Sequence, residues 1–404
     1  MVFTPLIVLT GIFALLYLWF SLFPGRISGE TLLYFTPEQV AQGRQYNLIL
    51  RLVSVGSFIV QAAFLVWLVF GGMALQLSRW AQHASGGNYW GSILLFFAVL
   101  WVSLRVINLP FSFFSSYYWQ HKWGFSTQTL GGWWLDYFKG AGIGFVLAAV
   151  GVILLFWAIN RWPGFWWLAG AVFVSATLVV QTFLWPVLIA PLYNKFEPVN
   201  DPAVLAMVDE LSQKANLPIK EVLVMDASQR TTKANAYFAG IGGTKRIVLY
   251  DTLLNDYTPE EVEAVIAHEM AHWSKGHIAK GLTWGTLGNL VLWGLLFLVL
   301  RVSIPGLLSS APFPPHAWVL VLLFFMLVSF IGNPVTNSFS RGMEYEADSM
   351  AVELTGNPNG AISLQQSLAL KNLSDLAPAP FIEWFSYSHP SAAKRIENIR
   401  NSCS

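Results

Sequence analysis

Long apolar stretches alternate with two polar segments along this chain of 404 residues. A helix needs about 20 predominantly apolar residues to cross a bilayer, and each stretch is of that order. The pattern predicts seven such helices, at about residues 2–22, 52–76, 91–110, 140–160, 164–190, 282–304 and 317–334. We expect the first to be a retained helix, because no basic residue precedes it as in a cleaved signal peptide. The fifth should be kinked or broken near Pro186 and Pro191.

The two polar segments also hold most of the charge. Of the 45 Lys, Arg, Asp and Glu residues, 21 lie in 191–281 and 12 in 336–404. We therefore expect four parts along the chain: an N-terminal membrane region at 1–190, the first part of a polar domain at 191–281, helices six and seven at 282–334, and the second part of the domain at 335–404.

The first polar segment has the pattern of a small mixed fold. Residues 202–216 have the periodicity of an amphipathic helix. Glu221–Met225 and Arg246–Tyr250 are rich in Val, Ile and Leu between polar flanks, which predicts two short strands. Between them, Asn235–Phe238 is predicted to be an extended edge segment.

Composition narrows the class of protein. Hydrophobic residues make up 55% of the chain and charged residues 11%, against roughly 25% charged in an ordinary soluble domain. A buried core of a large soluble protein is the alternative, but it fits seven such stretches poorly. The net charge of +1 excludes a nucleic-acid partner. The single cysteine, Cys403, excludes both a disulfide framework and a cysteine-based metal site.

Residues 268–272 read His-Glu-Met-Ala-His, an HExxH motif. On a helix, positions i and i+4 share a face, so His268 and His272 can direct their imidazoles at one metal ion. Glu269 can then take a proton from a metal-bound water, whose pKa zinc lowers to about 7. Residues 258–261 form a capping box that begins this helix. The alternative is two histidines buried on a packed helix.

A catalytic zinc needs a third protein ligand, and Glu344 is the leading candidate. We expect helices six and seven to form a hairpin that returns Glu344 to the side of the membrane where HExxH lies. Glu344 and Asp348 share a helical face, so Asp348 could accept a hydrogen bond from a ligand histidine. Two alternatives are open: the acids form a solvated helix face with Arg341, or His277 is the third ligand.

These motifs resemble those of a known family. HEMAH, followed by Glu-Tyr-Glu-Ala-Asp at 344–348, resembles the M48 zinc metallopeptidases, and more closely the Ste24 group of the CAAX prenyl protease 1 type. Similar segments lie at 109–112, 123–131, 235–238, 245–254 and 388–391, with Arg395 beyond them. The resemblance covers most of the chain, whereas HEMAH alone would indicate only a zinc-dependent peptidase.

The resemblance implies a multi-span α-helical membrane protein, in which seven transmembrane helices form a chamber. It implies a mainly α, zincin-like catalytic domain with a small β-sheet, divided between 191–281 and 335–404. One Zn²⁺ ion per chain would be held by His268, His272 and Glu344, with Glu269 as the base. The further roles that it implies are Asp348 orienting a ligand, Asn235 and Ala236 holding substrate backbone as an added strand, and His389 and Arg395 donating to a developing oxyanion.

Without the family, the last of these residues have plainer interpretations. Asn235 is then a turn residue, His389 a loop histidine and Arg395 a charge on a helix surface.

The implied function is an integral membrane zinc metalloendopeptidase that cuts near the C-terminus of prenylated or other hydrophobic, membrane-associated proteins. Its partners would be peptide or protein substrates, with or without a lipid, and membrane lipids. A quality-control protease like the HtpX branch is one alternative. A transporter or channel with a structural zinc is another, but Glu269 favours an enzyme because a structural site needs no base.

Basic residues in the loops predict the orientation. Loops on the side of the polar domain contain Arg26, Arg44, Arg51, Lys122 and Lys139, and the opposite loops contain Arg79, Arg161 and Arg301. The excess predicts a cytoplasmic catalytic side, in the inner membrane of a bacterium or the endoplasmic reticulum membrane of a eukaryote.

Overall fold

The structure is a computed structural model that describes residues 3–239, 245–304, 306–309 and 312–402. Its α-helices are α1 (Phe3–Leu22), α2 (Gly29–Leu32), α3 (Pro37–Phe70), α4 (Met73–Ala84), α5 (Tyr89–Phe113), α6 (Trp119–Lys122), α7 (Leu130–Arg161), α8 (Trp166–Leu184), α9 (Pro202–Lys214), α10 (Asp251–Asp256), α11 (Pro259–Ser274), α12 (His277–Ser303), α13 (Ala317–Thr355), α14 (Pro358–Lys371), α15 (Pro380–Ser386) and α16 (Ala392–Asn401). The strands are β1 (Phe196–Pro198), β2 (Glu221–Met225), β3 (Ala236–Ala239) and β4 (Arg246–Tyr250).

Seven helical segments in the described part of the chain are long and apolar enough to cross a membrane, as predicted. They are Phe3–Leu22, Pro37–Phe70, Tyr89–Lys122, Leu130–Arg161, Trp166–Leu192, His277–Val302 and Ala317–Thr355. Several run beyond their apolar stretch, because a helix can continue into the polar region without a break. The fifth loosens where proline was expected to disturb it: Trp185–Ile189 is π-helical and Ala190–Leu192 is a 3₁₀ turn.

The membrane helices follow one another around a ring. Neighbouring pairs are α13 with α3, α3 with α5, α5 with α7, α7 with α8, and α8 with α12, while α1 packs on α13 and α3. Helices six and seven run antiparallel and return the chain to the side of the polar domain, as the expected hairpin requires, with Trp293 against Phe325 and Trp284 against Phe339. α12 packs more extensively on α8 than on α13. In the most apolar 18 residues of the fifth span no residue is buried. A helix in a ring leaves both its outer and its inner face open, so the ring encloses a chamber.

The ring is closed at the end remote from the polar domain. One apolar cluster there joins the C-terminal ends of α3, α7 and α12 to the N-terminal ends of α5, α8 and α13. Its members include Leu65, Phe96, Phe156, Trp166 and Leu296, each no more than 2% exposed. Close van der Waals packing of these large side chains, rather than their removal from water, holds the helices together at one end. The other end is covered by the polar domain.

The polar domain has a four-stranded mixed sheet in the order β1-β2-β4-β3. β1 is antiparallel to β2, β2 is parallel to β4, and β3 is antiparallel to β4. The two predicted strands and the predicted helix at 202–216 are confirmed by β2, β4 and α9. The sheet packs on α11 through a second apolar core that includes Leu211, Leu249, Ile266 and Met270. The domain limits at 190, 281 and 334 stay a prediction.

One membrane helix is bonded directly to the polar domain. On α3, the Asn47 side-chain amide donates to the Leu373 carbonyl at 2.7 Å, and Arg44 donates to a further carbonyl of the same loop. Arg51 Nη2 lies 2.7 Å from Asp375 Oδ2, and both side chains are buried. The loop between α14 and α15 is therefore held in place by a helix that crosses the membrane.

Candidate active site

The HExxH motif lies in the C-terminal half of α11, which begins as the sequence predicts. Thr258 Oγ1 accepts from the Glu261 backbone N–H at 3.3 Å, and the Glu261 carboxylate accepts from the Thr258 N–H at 3.1 Å. This capping box fixes the start of the helix. One turn apart on the same face, His268 Nε2 and His272 Nε2 approach to 3.0 Å.

Glu344 reaches these two nitrogens from α13, which packs along α11. Its carboxylate oxygens lie 3.3 Å from His268 Nε2 and 3.4 Å from His272 Nε2. Ligand atoms from the three residues all lie within 4.8 Å of one another. The structure thus brings together the three residues that the sequence suggested as metal ligands.

The three side chains fit a divalent metal ion. Glu344 is 4% exposed, and its buried Oε2 makes no hydrogen bond of normal geometry among the described residues, with His268 Nε2 at 3.3 Å and Arg395 Nη2 at 3.4 Å. A buried carboxylate oxygen is costly unless a donor or a cation meets it. Two imidazole nitrogens facing each other also need a proton or a cation between them. Two histidines with one carboxylate form a ligand set of catalytic zinc sites.

Asp348 holds the ring of His268 from behind. Its Oδ1 lies 3.0 Å from His268 Nδ1, so Nδ1 carries a proton and Nε2 is left to face the metal position. Burial by itself would lower the pKa of His268, but hydrogen bonds to Asp348 and Glu344 outweigh burial and raise that pKa to about 9.

Arg395, on α16, forms a buried bidentate pair with Asp348. Arg395 Nε lies 2.7 Å from Oδ2, and Nη2 lies 2.5 Å from Oδ1. The idea of a solvated acidic helix face is therefore wrong, because Asp348 is only 3% exposed. Arg341 contacts neither acid and donates instead to the Tyr387 carbonyl at 2.7 Å.

The remaining candidates meet at a cavity of about 400 Å³. Its lining includes Asn235, Ala236, His268, Glu269, Glu344, His389 and Arg395. Burial raises the pKa of Glu269. His389 Nε2 lies 3.3 Å from Glu344 Oε1, on a side chain that is 59% exposed. Residues separated by more than a hundred positions in the chain therefore face one space.

The cavity also borders the free edge of β3. The Asn235 carbonyl accepts from the Tyr250 N–H at 3.1 Å. Because bonded pairs alternate along an antiparallel ladder, Tyr237 is bonded to β4 while Ala236 and Phe238 turn their backbone groups outward. The Ala236 N–H meets the Asn235 side-chain oxygen at 2.9 Å. β3 is the last strand of the sheet in the described chain, so another strand can be added there.

His277 is not among the three converging ligands. Its Nδ1 lies 2.8 Å from His272 Nδ1, and its Nε2 lies 3.1 Å from Glu346 Oε2. It therefore contacts Nδ1 of His272, away from the proposed metal position, as Asp348 contacts Nδ1 of His268. The sequence did not indicate this arrangement, although the five-residue spacing after His272 was visible.

A second group that the sequence did not indicate lies on the cavity wall. Arg51 Nη2 contacts both Asp375 Oδ2 at 2.7 Å and the Tyr387 hydroxyl at 2.6 Å. In the sequence, Arg51 is only a basic residue that flanks an apolar stretch. No local pattern marks it as the partner of a residue 324 positions away.

A ring of membrane helices that carries an HExxH motif and a possible metal site is the architecture expected of an integral membrane metallopeptidase. Comparison with known proteins gives the family. The model of Peptidase family M48 matches residues 198–402. The model of the CAAX prenyl protease N-terminal region, five membrane helices, matches residues 27–195. The chain belongs to peptidase family M48.

Individual relatives agree with this assignment. The metalloprotease YhfN of Bacillus subtilis is 30% identical over 402 residues, covering 97% of this chain and 94% of YhfN. CAAX prenyl protease 1 of Saccharomyces cerevisiae is 29% identical over 328 residues, covering 75% of this chain and 71% of the yeast protein. The crystal structure of S. mikatae Ste24p matches with a TM-score of 0.83 at 24% identity, over 98% of this chain and 96% of Ste24p. This match supports the overall fold.

Proposed function

We propose that this protein is a zinc endopeptidase that cuts prenylated, CAAX-type or other hydrophobic membrane-associated proteins and peptides near their C-termini. The observation that carries the proposal is the convergence of His268, His272 and Glu344 within 4.8 Å, beside Glu269, in one cavity. The substrate class is supported by the yeast and Arabidopsis relatives, which are named CAAX prenyl protease 1 or a homolog of it.

We assign one zinc ion per chain to His268, His272 and Glu344. A bound zinc ion supplies a Lewis acid that polarises a carbonyl group and acidifies water. Asp348 keeps the His268 proton on Nδ1 through its 3.0 Å contact, so that Nε2 is free to bind. Arg395 balances the buried charge of Asp348.

Glu269 is the general base in this proposal. Its carboxylate takes the proton of the attacking water and then delivers it to the leaving nitrogen of the peptide bond. Burial raises its pKa, which makes the carboxylate a stronger base than an exposed glutamate. His389 lines the same cavity, and its imidazole can donate to the carbonyl oxygen as negative charge develops there. Arg395 has its Nε and Nη2 bonded to Asp348, which leaves Nη1 for the same oxygen.

Substrate backbone is proposed to add to the free edge of β3. The outward N–H and C=O groups of Ala236 would pair with the substrate, as in other cases of strand addition. The Asn235 side chain now accepts the Ala236 N–H, and it would turn to the substrate when that N–H is taken. Side chains of the substrate would then enter the cavity near Glu269.

The membrane region is proposed to concentrate the substrate. The chamber formed by the helix ring opens towards the polar domain, because its other end is closed by apolar packing. A lipid tail is attracted to such an environment by about 0.8 kcal/mol per buried CH₂. The excess of basic residues on the same side supports a cytoplasmic location for the catalytic domain.

The test is cleavage-site profiling with purified full-length protein in lipid nanodiscs. Matched farnesylated and unprenylated CAAX peptides are incubated with the wild type and with Glu269→Gln, and products are read by mass spectrometry. We expect one zinc per chain in both proteins and cleavage only by the wild type. Lengthening the apolar tail should lower KM by up to about fourfold per CH₂.

Two results would contradict parts of the proposal. Turnover by Glu269→Gln at the wild-type rate would show that Glu269 is not the general base. Cleavage of unprenylated hydrophobic peptides with the same KM as farnesylated ones would favour a quality-control protease without prenyl recognition.

A further inference from the structure

The turn between α11 and α12 places a third histidine against the metal site. Only Lys275 and Gly276 separate Ser274, the last residue of α11, from His277, the first residue of α12. Gly276 has φ of 68°, a left-handed conformation that glycine adopts without a steric cost. The chain therefore reverses abruptly, and the His277 ring packs against the His272 ring, with their centroids 4.9 Å apart.

The positions of the protons follow from the contacts. His272 Nε2 faces Glu344 and must be unprotonated to bind a metal, so the His272 proton lies on Nδ1. That N–H points at His277 Nδ1, 2.8 Å away, which must accept it. The His277 proton then lies on Nε2 and is donated to Glu346 Oε2 at 3.1 Å. With the proton of each histidine placed in this way, every contact from His272 through His277 to Glu346 has one donor and one acceptor.

The two metal-binding histidines are therefore supported differently. His268 donates directly to a carboxylate, Asp348. His272 reaches its carboxylate, Glu346, only through the neutral ring of His277. His277 is 5% exposed, so water cannot easily replace it as the acceptor.

We propose that His277 and Glu346 form a hydrogen-bond relay that fixes the tautomer and ring orientation of His272, and so sets the metal affinity of the site. The inference rests on the proposed metal site of this protein. His277 is a positioning residue, because it acts through His272 and lies outside the ligand group. Since His277 begins α12, the support for His272 comes from a membrane helix.

The relay predicts a graded series of zinc affinities. Removing a partner that orients a metal-binding histidine costs about 10–100-fold in affinity. His277→Phe keeps an aromatic ring but removes the acceptor, so zinc should bind 10–100-fold more weakly. His277→Asn places an amide oxygen near the position of Nδ1 and should stay within about threefold of the wild type. Glu346→Ala should lie between the two, because the Glu346 side chain is 52% exposed and water can partly replace it.

The chain offers a matched control. Lys280 Nζ lies 3.0 Å from the same Glu346 oxygen but is not a member of the hydrogen-bonded row from His272 through His277 to Glu346. Lys280→Met therefore changes the charge around Glu346 without removing a member of the relay. It should bind zinc with the affinity of the wild type.

The experiment measures zinc dissociation constants of the full-length, metal-free proteins in detergent, by competition with a fluorescent zinc chelator. Peptidase activity of the same samples is then measured at saturating zinc. We expect the order wild type and Lys280→Met, then His277→Asn, then Glu346→Ala, then His277→Phe. Saturating zinc should restore kcat of His277→Phe to within a few-fold of the wild type, since no ligand is lost.

Four results have distinct meanings. A wild-type zinc affinity in His277→Phe overturns the relay. A loss as complete as in Glu344→Ala overturns it too, because His277 would then be a ligand itself. If His277→Phe does not fold, the comparison of Glu346→Ala with Lys280→Met decides, and equal affinities overturn the relay. Failure of the wild type to bind zinc would instead contradict the proposed function.

Discussion

A proton competes with the metal ion for His268, and this competition should make metal binding steeply dependent on pH. In the metal-free protein, the hydrogen bonds of His268 to Asp348 and Glu344 outweigh burial and raise its pKa to about 9. At neutral pH the ring is therefore protonated before the metal arrives. Because the metal must displace that proton, binding should weaken as pH falls below the raised pKa.

The size of the effect follows from the pKa. A competing proton with a pKa of about 9 weakens binding about a thousandfold at pH 6 and about tenfold at pH 8. The dissociation constant for zinc should therefore fall by about 90-fold between these two pH values. With the ordinary histidine pKa of about 6.5, the fall would be only about fourfold.

The assay is a zinc titration of metal-free protein at pH 6, 7 and 8, against chelators whose own pH dependence is known. Calorimetry in two buffers of different ionisation enthalpy then counts the protons released per zinc. We expect close to one proton from His268 at pH 7. Asp348→Asn removes one of the two carboxylates that raise the pKa, so its affinity should depend less steeply on pH.

The reasoning would be refuted by a dissociation constant that changes about fourfold or less between pH 6 and 8 in the wild type. That result would mean that His268 is already neutral in the metal-free protein. An equally steep dependence in Asp348→Asn would assign the proton to another group.

Three further changes test other parts of the structure. His389→Phe should lower kcat about 10²–10³-fold with zinc content unchanged, because it removes a transition-state donor and no ligand; loss of zinc would make His389 part of the metal site. Gly43→Ala should lower thermal stability and activity, since a Cβ there collides with the backbone of the loop after α14. Gly56→Ala, on the same helix, is the control, because its Cβ meets only a ring carbon at 3.6 Å. Equal melting temperatures of the two variants would contradict this. Arg51→Met should lower the free energy of unfolding by about 3–5 kcal/mol, because it leaves Asp375 buried without its ion-pair partner. In a denaturation assay, the double variant Arg51→Met with Asp375→Asn should recover part of this loss.

Local patterns determined much of the fold. The seven membrane helices follow from runs of apolar residues, and the strands Glu221–Met225 and Arg246–Tyr250 from short runs of Val, Ile and Leu. The start of α11 follows from its capping box. Each of these signals lies within a few turns of chain, where helix period, strand period and capping chemistry act directly.

Part of the site could be predicted for the same reason. His268 and His272 share a face because they are four residues apart on one helix, and Glu344 shares a face with Asp348 by the same spacing. That the two pairs meet is a contact between α11 and α13, about 70 residues apart, and the sequence suggested it only through the expected hairpin of α12 and α13. The resemblance to a family supplied the roles of His389 and Arg395.

The sequence by itself thus determined which segments cross the membrane, where the metal-binding helix begins and which side chains share its face. Only the tertiary structure decided that Arg395 pairs with Asp348, that His277 supports His272, and that Arg51, which looked like a charge flanking a membrane helix, is buried against the polar domain. The physical reason is the separation along the chain over which each kind of signal acts. Periodicity and apolar length are properties of neighbouring residues, whereas a buried charge finds its partner through packing of distant helices, and that packing leaves no periodic signal in the chain.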